Sequence, residues 1–398
     1  MSNPYSELFK PSGAIGFSLA GFMARMPLPM TGIGIIVMLS QLNGRYGLAG
    51  AVSATFVLTY ALVAPQVSRL VDLYGQYRVL PIATSISVLG VLALLACTYW
   101  NTPIWTFFLC AVLAGFMPSM SAMVRARWTA IYRGQSQLQT AYSLETVFDE
   151  ISFIAGPPIS VGLSVAVFPQ AGPLAATLLL ALGVCLFVMF RSTEPPVETQ
   201  KVTLETTGSV ISISGVWILA LLLACMGMIV GTVDIVSVAF AEQLGRPAAA
   251  SIVLSVYAIG SCLAGLIFGA IKLKTPLYRL FLIGGLATAL TALPFLMANS
   301  ISGLALAVFI AGLFFAPTMI IAMALVERMV PERKLTEGLT WLLSGLNTGA
   351  ALGAAAAGQF VDIYGSRGGF MVSLIAGVGI ALVTLFGFLH LRSHHFKS

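Results

Sequence analysis

Apolar stretches of about twenty residues alternate along the chain with short polar turns. Twelve can be read, over 13–39, 48–70, 80–99, 103–123, 139–164, 173–190, 213–240, 249–271, 280–298, 302–325, 338–361 and 369–391. Wound as an α-helix, a run of that length matches the hydrocarbon thickness of a bilayer. Lipid offers no partner to a free backbone N–H or C=O, so each run is predicted to be a membrane-spanning helix rather than an open strand. The long exception is Arg191 to Thr207, with Glu194, Pro195, Pro196, Glu198, Lys201 and Glu205. It predicts a hinge-like linker and a three-part chain: a six-helix bundle over 1–191, a linker over 192–212 and a second six-helix bundle over 213–398.

Composition agrees with lipid as the solvent. Hydrophobic residues make up 58% and charged residues 9%, with a mean hydropathy of +0.97. A water-soluble domain could not hide that much apolar surface. The formal charge is +6, and its placement reads as a topology signal. With the N-terminus in the cytoplasm, most of the basic residues, Arg69, Arg78, Arg125, Arg127, Arg133, Arg279, Arg328 and Arg333 among them, fall on cytoplasmic turns, which predicts both termini inside. The segment Met1 to Lys10 is polar and the run after it is too long for a signal-peptide core, so the first span is expected to be retained. The five cysteines, Cys97, Cys110, Cys185, Cys225 and Cys262, sit in apolar runs without paired spacing, so neither a disulfide framework nor a metal site is expected.

The two halves echo one another. At one spacing Gly44-Arg45 recurs as Gly245-Arg246 and Arg78 as Arg279; at a slightly shorter one Ala141 recurs as Gly338 and Gly156 as Gly353. Repeated six-span units with a site at the midplane between them are one of the ways in which transporters are built.

The turn between the second and third runs, Ser68-Arg-Leu-Val-Asp-Leu-Tyr-Gly-Gln-Tyr-Arg78, resembles the loop motif of the major facilitator superfamily. That motif reads Gly-x-Leu-x-Asp-Arg-x-Gly-Arg-Arg/Lys. Leu70, Asp72 and Gly75 are kept and the turn ends on a basic Arg78, whereas Ser68 replaces the first glycine and Leu73 and Gln76 the first two arginines. The resemblance covers nearly the whole chain and implies an all-α membrane protein of twelve helices in two pseudo-symmetric bundles. It also implies a gating latch, in which Asp72 accepts hydrogen bonds from the start of span 11, about Glu337 to Thr340, while Gly75 permits the turn. A solvated turn with a helix-capping Asp is the alternative. Gly156-Pro157-Pro158 in span 5 resembles the antiporter motif, with Ser160 in place of its later glycine, and equally reads as a kink or close-packing point. The arginine that drug:proton antiporters carry in span 4 has Ala111 in its place.

Ionisable side chains within spans cost roughly 2.5–3.5 kcal/mol each and are functional candidates by default. Arg25 lies in span 1, Glu145, Asp149 and Glu150 in span 5, and Asp234 in span 7. The resemblance brings Arg25 beside the span 5 acids. Glu150 ranks first and Asp149 second, because Glu150 corresponds to the polar Asn347 in the other repeat, whereas Glu145 and Asp149 correspond to Leu342 and Leu346. The alternative is a structural salt-bridge knot that holds span 1 to span 5. Asp234 could gate the outer mouth, bind a cation or be solvated. Methionines on the cavity helices, such as Met117 and Met120, suit either a promiscuous apolar site or ordinary packing. His390, His394 and His395 read as a solvated tail.

The expected protein is a proton-coupled exporter of a small, partly hydrophobic molecule, a monomer in the bacterial inner membrane that uses the proton gradient and no bound cofactor. Import of a small nutrient or organic anion, seated on Arg25, is the alternative. An enzyme is not expected, for want of a nucleophile and base or metal cluster at midplane, and no basic stripe points to nucleic acid.

Overall fold

A computed structural model describes residues 4–43, 46–100, 102–196, 209–246, 249–271 and 275–395. The core of the expected linker, 197–208, and the Gly44-Arg45 pair lie outside the described residues. Among those described, the regular elements are helices: α1 (Pro4–Leu8), α2 (Ala14–Arg25), α3 (Pro27–Asn43), α4 (Tyr46–Tyr74), α5 (Gln76–Tyr99), α6 (Trp105–Ala114), α7 (Met120–Tyr132), α8 (Gln137–Ala166) and α9 (Ala171–Met189) in the first half. After short 3-10 turns follow α10 (Ser214–Gln243), α11 (Ala249–Ala270), α12 (Leu277–Leu290), α13 (Leu293–Met297), α14 (Ile301–Met329) and α15 (Leu335–His395). Gly365, at φ +73°, divides α15 into two helices.

Nine of these helical stretches among the described residues are long and apolar enough to cross a membrane. They match nine of the expected runs. The other three, 103–123, 139–164 and 338–361, differ for separate reasons. α8 carries Glu145, Asp149 and Glu150, and the first part of α15 is rich in glycine and alanine; both are nonetheless helical. The run 103–123 is not one helix. α6 stops at Ala114, the chain is non-helical from Phe116 to Ser119, and α7 continues beyond the expected end to Tyr132. Pro118 cannot donate a backbone hydrogen bond. Gly115 is pressed so closely on α4 that a Cβ would fall 2.6 Å from the Thr59 side chain. Arg125 and Arg127, expected on a cytoplasmic turn, are instead buried in α7 at 0% exposure.

The chain divides into two compact units. The first comprises Met1–Gln135, Phe148–Thr206 and Arg333–Thr340; the second comprises Ser136–Val147, Thr207–Glu332 and Trp341–Ser398. In the first, α2 packs on α7 and α9, and α5 on α6 and α9. A Cβ on Gly183 of α9 would come within 2.7 Å of the Ala24 backbone, so α2 and α9 touch almost main chain to main chain. In the second, α11 packs along α14, and α10 lies against the first part of α15 through a seam of small residues. Gly227 and Gly231 face Leu346 and Ala350, while Gly345, Gly349 and Gly353 face Ala220, Ala224 and Met228. His390, expected in a solvated tail, lies 2.7 Å from the Ser214 hydroxyl at the start of α10.

Candidate functional site

Span 1 is divided at Met26 between α2, which ends at Arg25, and α3, which begins at Pro27, and the division carries the first charged side chain of the site. Arg25 donates from Nη1 to Asp149 Oδ1 at 3.0 Å. The second oxygen of the same carboxylate accepts from Arg125 Nη2 at 2.8 Å, and Ser121 Oγ donates to Oδ1 at 2.5 Å. Each arginine is also tied to its own helix, Arg25 through Nε to Gly21 O at 3.4 Å and Arg125 through Nη1 to Ser121 O at 3.3 Å. One carboxylate thus bridges two buried guanidiniums contributed by α2 and α7. Charge-assisted pairs of this kind hold only where hydrogen bonds offset the loss of hydration.

A small pocket opens beside the bridge, and all of its lining belongs to the first unit. Leu28, Tyr60, Met117, Pro118, Met120 and Phe153 give it an apolar wall, with Arg25, Ser121 and Asp149 at its polar end. The break between α6 and α7 supplies Met117 and Pro118. Irregular backbone at membrane depth is tolerated where it is buried in protein or lines a cavity.

The other expected site residues are dispersed. Glu150, next to Asp149 on α8, is half-buried, and Glu145 is fully buried one turn earlier on the same helix. Asp234 on α10 is exposed and Asn347 on α15 is partly buried, both in the second unit. Arg125 was missed because a basic residue past an apolar run reads as a topology signal. The clue lay in spacing. Ser121 and Arg125 are one helical turn apart in a stretch from Met120 to Tyr132 that contains neither glycine nor proline.

The loop motif forms a second polar cluster. α4 ends at Tyr74, Gly75 takes φ +90°, and α5 starts at Gln76. Asp72 accepts from the backbone N–H groups of Thr336 at 3.2 Å and Glu337 at 2.8 Å, the first turn of α15, where amides have no partner within the helix. Ser68, in the first glycine position of the motif, shares a 2.7 Å hydrogen bond with Thr340. Arg78 is exposed. In the second unit, Gln139 and Thr140 donate to the Phe268 and Gly269 carbonyls at the end of α11, each at 2.6 Å. On α8, Gly156 lies against α3, where a Cβ would meet Pro29 at 3.0 Å, and Ser160 donates to Met30 O at 2.9 Å. The helix continues through Pro157 and Pro158.

Gln76, where the motif has an arginine, accepts from Arg127 Nε at 2.7 Å and donates to Met123 O at 3.1 Å. Arg127 Nη1 also reaches Phe190 O and Thr193 Oγ1, each at 2.8 Å, and its guanidinium lies 3.8 Å from the Phe187 ring centre. The arginine of this cluster therefore comes from α7 instead of from the loop. Restoring the motif with Gln76→Arg is expected to destabilise the protein by about 2–4 kcal/mol, because two guanidiniums would meet at hydrogen-bonding distance. A thermal unfolding midpoint in detergent at or above that of the parent would refute this assignment.

Comparison with known proteins agrees with this architecture. The family model described as Major Facilitator Superfamily matches residues 14–240 and again 218–397. The chain belongs to the major facilitator superfamily. It is accordingly an all-α, multi-pass membrane protein and a secondary transporter of small molecules, not an enzyme. Among solved structures it is similar to a bacterial homologue of the iron transporter ferroportin in an outward-facing state, at 14% identity and a TM-score of 0.75, covering 94% of this chain and 98% of that one. It is also similar to the human organic anion transporter MFSD10 (TETRAN), at 12% identity and a TM-score of 0.73, covering 94% and 100%. The E. coli fucose:proton symporter FucP matches at 12% identity and a TM-score of 0.70, covering 95% and 99%. No curated protein matches the chain by sequence.

Proposed function

We propose that this transporter couples the movement of a small, partly hydrophobic molecule to protons by alternating access, with export across the bacterial inner membrane as its direction. The observation that carries the reading is the Asp149 carboxylate held between Arg25 and Arg125 at the edge of an apolar pocket. An ionisable group in such a place has to be neutralised or re-paired whenever its partners move, which ties its proton to the conformational cycle. Asp149, ranked second on the repeat, becomes the first choice for the proton carrier because it is the acid that pairs with both arginines, and the half-buried Glu150 becomes the second. Export is supported by the antiporter-like Gly156-Pro157 on the helix that bears Asp149, and by Met117 and Met120 in the pocket wall. Asp72 acts as a gating latch that has to release the start of α15 when the transporter changes state. Basic turn residues such as Arg69, Arg78 and Arg279 support cytoplasmic termini; Arg125 and Arg127, being buried, do not contribute. The protein acts as a monomer.

A second reading is favoured by one observation: the pocket is edged by two arginines where the sequence pointed to one. Guanidiniums held in this way suit a carboxylate. An organic anion could take over Arg25 and Arg125 while Asp149 takes up a proton, so that anion and proton travel together. Reconstituted vesicles carrying a pH-sensitive dye separate the two. On addition of a panel of aromatic acids, amides and amines, export by exchange moves protons opposite to the substrate and co-transport moves them with it. Asp149→Asn is expected to reduce coupled flux at least tenfold. Substrate flux without proton movement, equal in parent and variant, would sink the coupling.

A further inference from the structure

Cys97 and Cys110 have no spacing that signals a pair, yet α5 and α6 bring their Sγ atoms to 3.9 Å. The approach is built into the backbones. Ser87 on α5 donates to Ala114 O on α6 at 2.6 Å, and a Cβ on Gly90 would fall 2.4 Å from Ala114 N. At the thiol end, the Thr102 and Thr106 hydroxyls share a 2.7 Å hydrogen bond, and Thr102 Oγ1 donates to the Cys97 carbonyl at 3.4 Å. The exposed rings of Tyr99, Trp100 and Trp105 surround this helix end. Exposed tryptophan and tyrosine mark the level at which hydrocarbon gives way to headgroups and water, so both thiols lie within about one and a half helical turns of that boundary. Cys97 is partly exposed and Cys110 buried. This geometry is that of an attacking thiol with a resolving thiol behind it.

We propose that Cys97 and Cys110 form a reversible disulfide that staples α6 to α5. A bond of about 2.05 Å requires the sulfurs to approach, which rotation about the two side chains supplies. The oxidant is a small organic disulfide, R–S–S–R. The Cys97 thiolate attacks one of its sulfurs and expels RS⁻, leaving Cys97–S–S–R. The Cys110 thiolate then attacks the Cys97 sulfur and expels the second RS⁻. The two protons lost by the cysteines end on the two RSH products, and the two electrons lost by the protein are those gained by the oxidant. The staple fixes α6, the helix that runs into the break at Phe116 to Ser119 and so into the pocket wall. Its effect on flux rests on the transporter reading given above; the formation of the bond does not.

The full-length protein in detergent is treated with 5,5′-dithiobis(2-nitrobenzoate), blocked with N-ethylmaleimide, digested and weighed. The expected product is a cross-linked pair of peptides containing Cys97 and Cys110, two hydrogens lighter than the reduced pair and restored by dithiothreitol. Maleimide on Cys110 together with a nitrobenzoate adduct on Cys97, or maleimide on both, would overturn the proposal. In vesicles, oxidation is expected to slow flux at least threefold in the parent and to leave Cys97→Ala unchanged. A complete cross-link with undiminished flux would overturn the restraint placed on α6. An absence of flux in the reduced protein would instead tell against the proposed proton-coupled export and leave the cross-link result standing.

Discussion

Asp149→Asn is expected to destabilise the protein by about 3 kcal/mol, the lower end of the range for breaking a buried ion pair by removing one partner. The carboxylate accepts on both oxygens, from Arg25 and Ser121 on one and from Arg125 on the other. Asparagine keeps one acceptor. Its NH2 group then faces an arginine N–H, donor against donor, and both guanidiniums lose the charge that offset their desolvation. Thermal unfolding in detergent measures the loss, and Arg25→Gln combined with Asp149→Asn tests its origin. In a double-mutant cycle the two changes should cost clearly less together than their sum, because the second removes a charge that the first had already deprived of this partner. Strict additivity would show that Arg25 and Asp149 do not support each other.

The second large effect lies in the second unit, at Gly349. A Cβ there would fall 1.9 Å from the Ala224 carbonyl oxygen on α10, a clash with backbone that no rotamer can relieve. Its neighbours leave no room for a shift, since a Cβ on Gly345 or Gly353 would lie 2.5 Å from Ala220 O or 2.3 Å from Met228 O. Gly349→Val must therefore push α15 away from α10 along several turns. The cost should exceed the roughly 1–3 kcal/mol typical of overpacking, because a whole helix seam is prised open instead of one side chain being displaced. Little or no monodisperse protein is expected in size-exclusion chromatography, whereas Gly162→Val, where an added Cβ meets nothing within 4 Å, should purify as the parent does. Normal yields of Gly349→Val would show that the seam is looser than described.

How far the sequence could be read depended on whether a constraint was local. Helices at nearly every expected span follow from the bilayer, which leaves a backbone few alternatives. The hydrogen bonds of Asp72 to the start of α15 were legible too, since the motif that its loop resembles names that partner. What could not be read depended on partners distant in the chain. Gln76 looked like a degraded motif position until Arg127 was found beside it, and Arg125 looked like a loop charge because nothing within its own turn shows Asp149 across the bundle. Cys97 and Cys110 had the same difficulty. The break at Phe116 to Ser119 was hidden in another way: Phe116, Met117 and Pro118 keep the run apolar, so hydropathy passes smoothly over a place where the hydrogen-bond ladder stops.

That interruption has a mechanical consequence. Bending an intact helix means rupturing or stretching several of its internal hydrogen bonds, and that penalty resists every excursion. Between α6 and α7 that penalty is already absent from the ladder, so what holds residues 116–119 in place is the packing of buried side chains such as Met117 and the close approach of Gly115 to α4. The pocket wall at Met117 and Pro118 is therefore shaped by side-chain contacts instead of by a helical ladder, while Arg125, farther along α7, is anchored on Asp149.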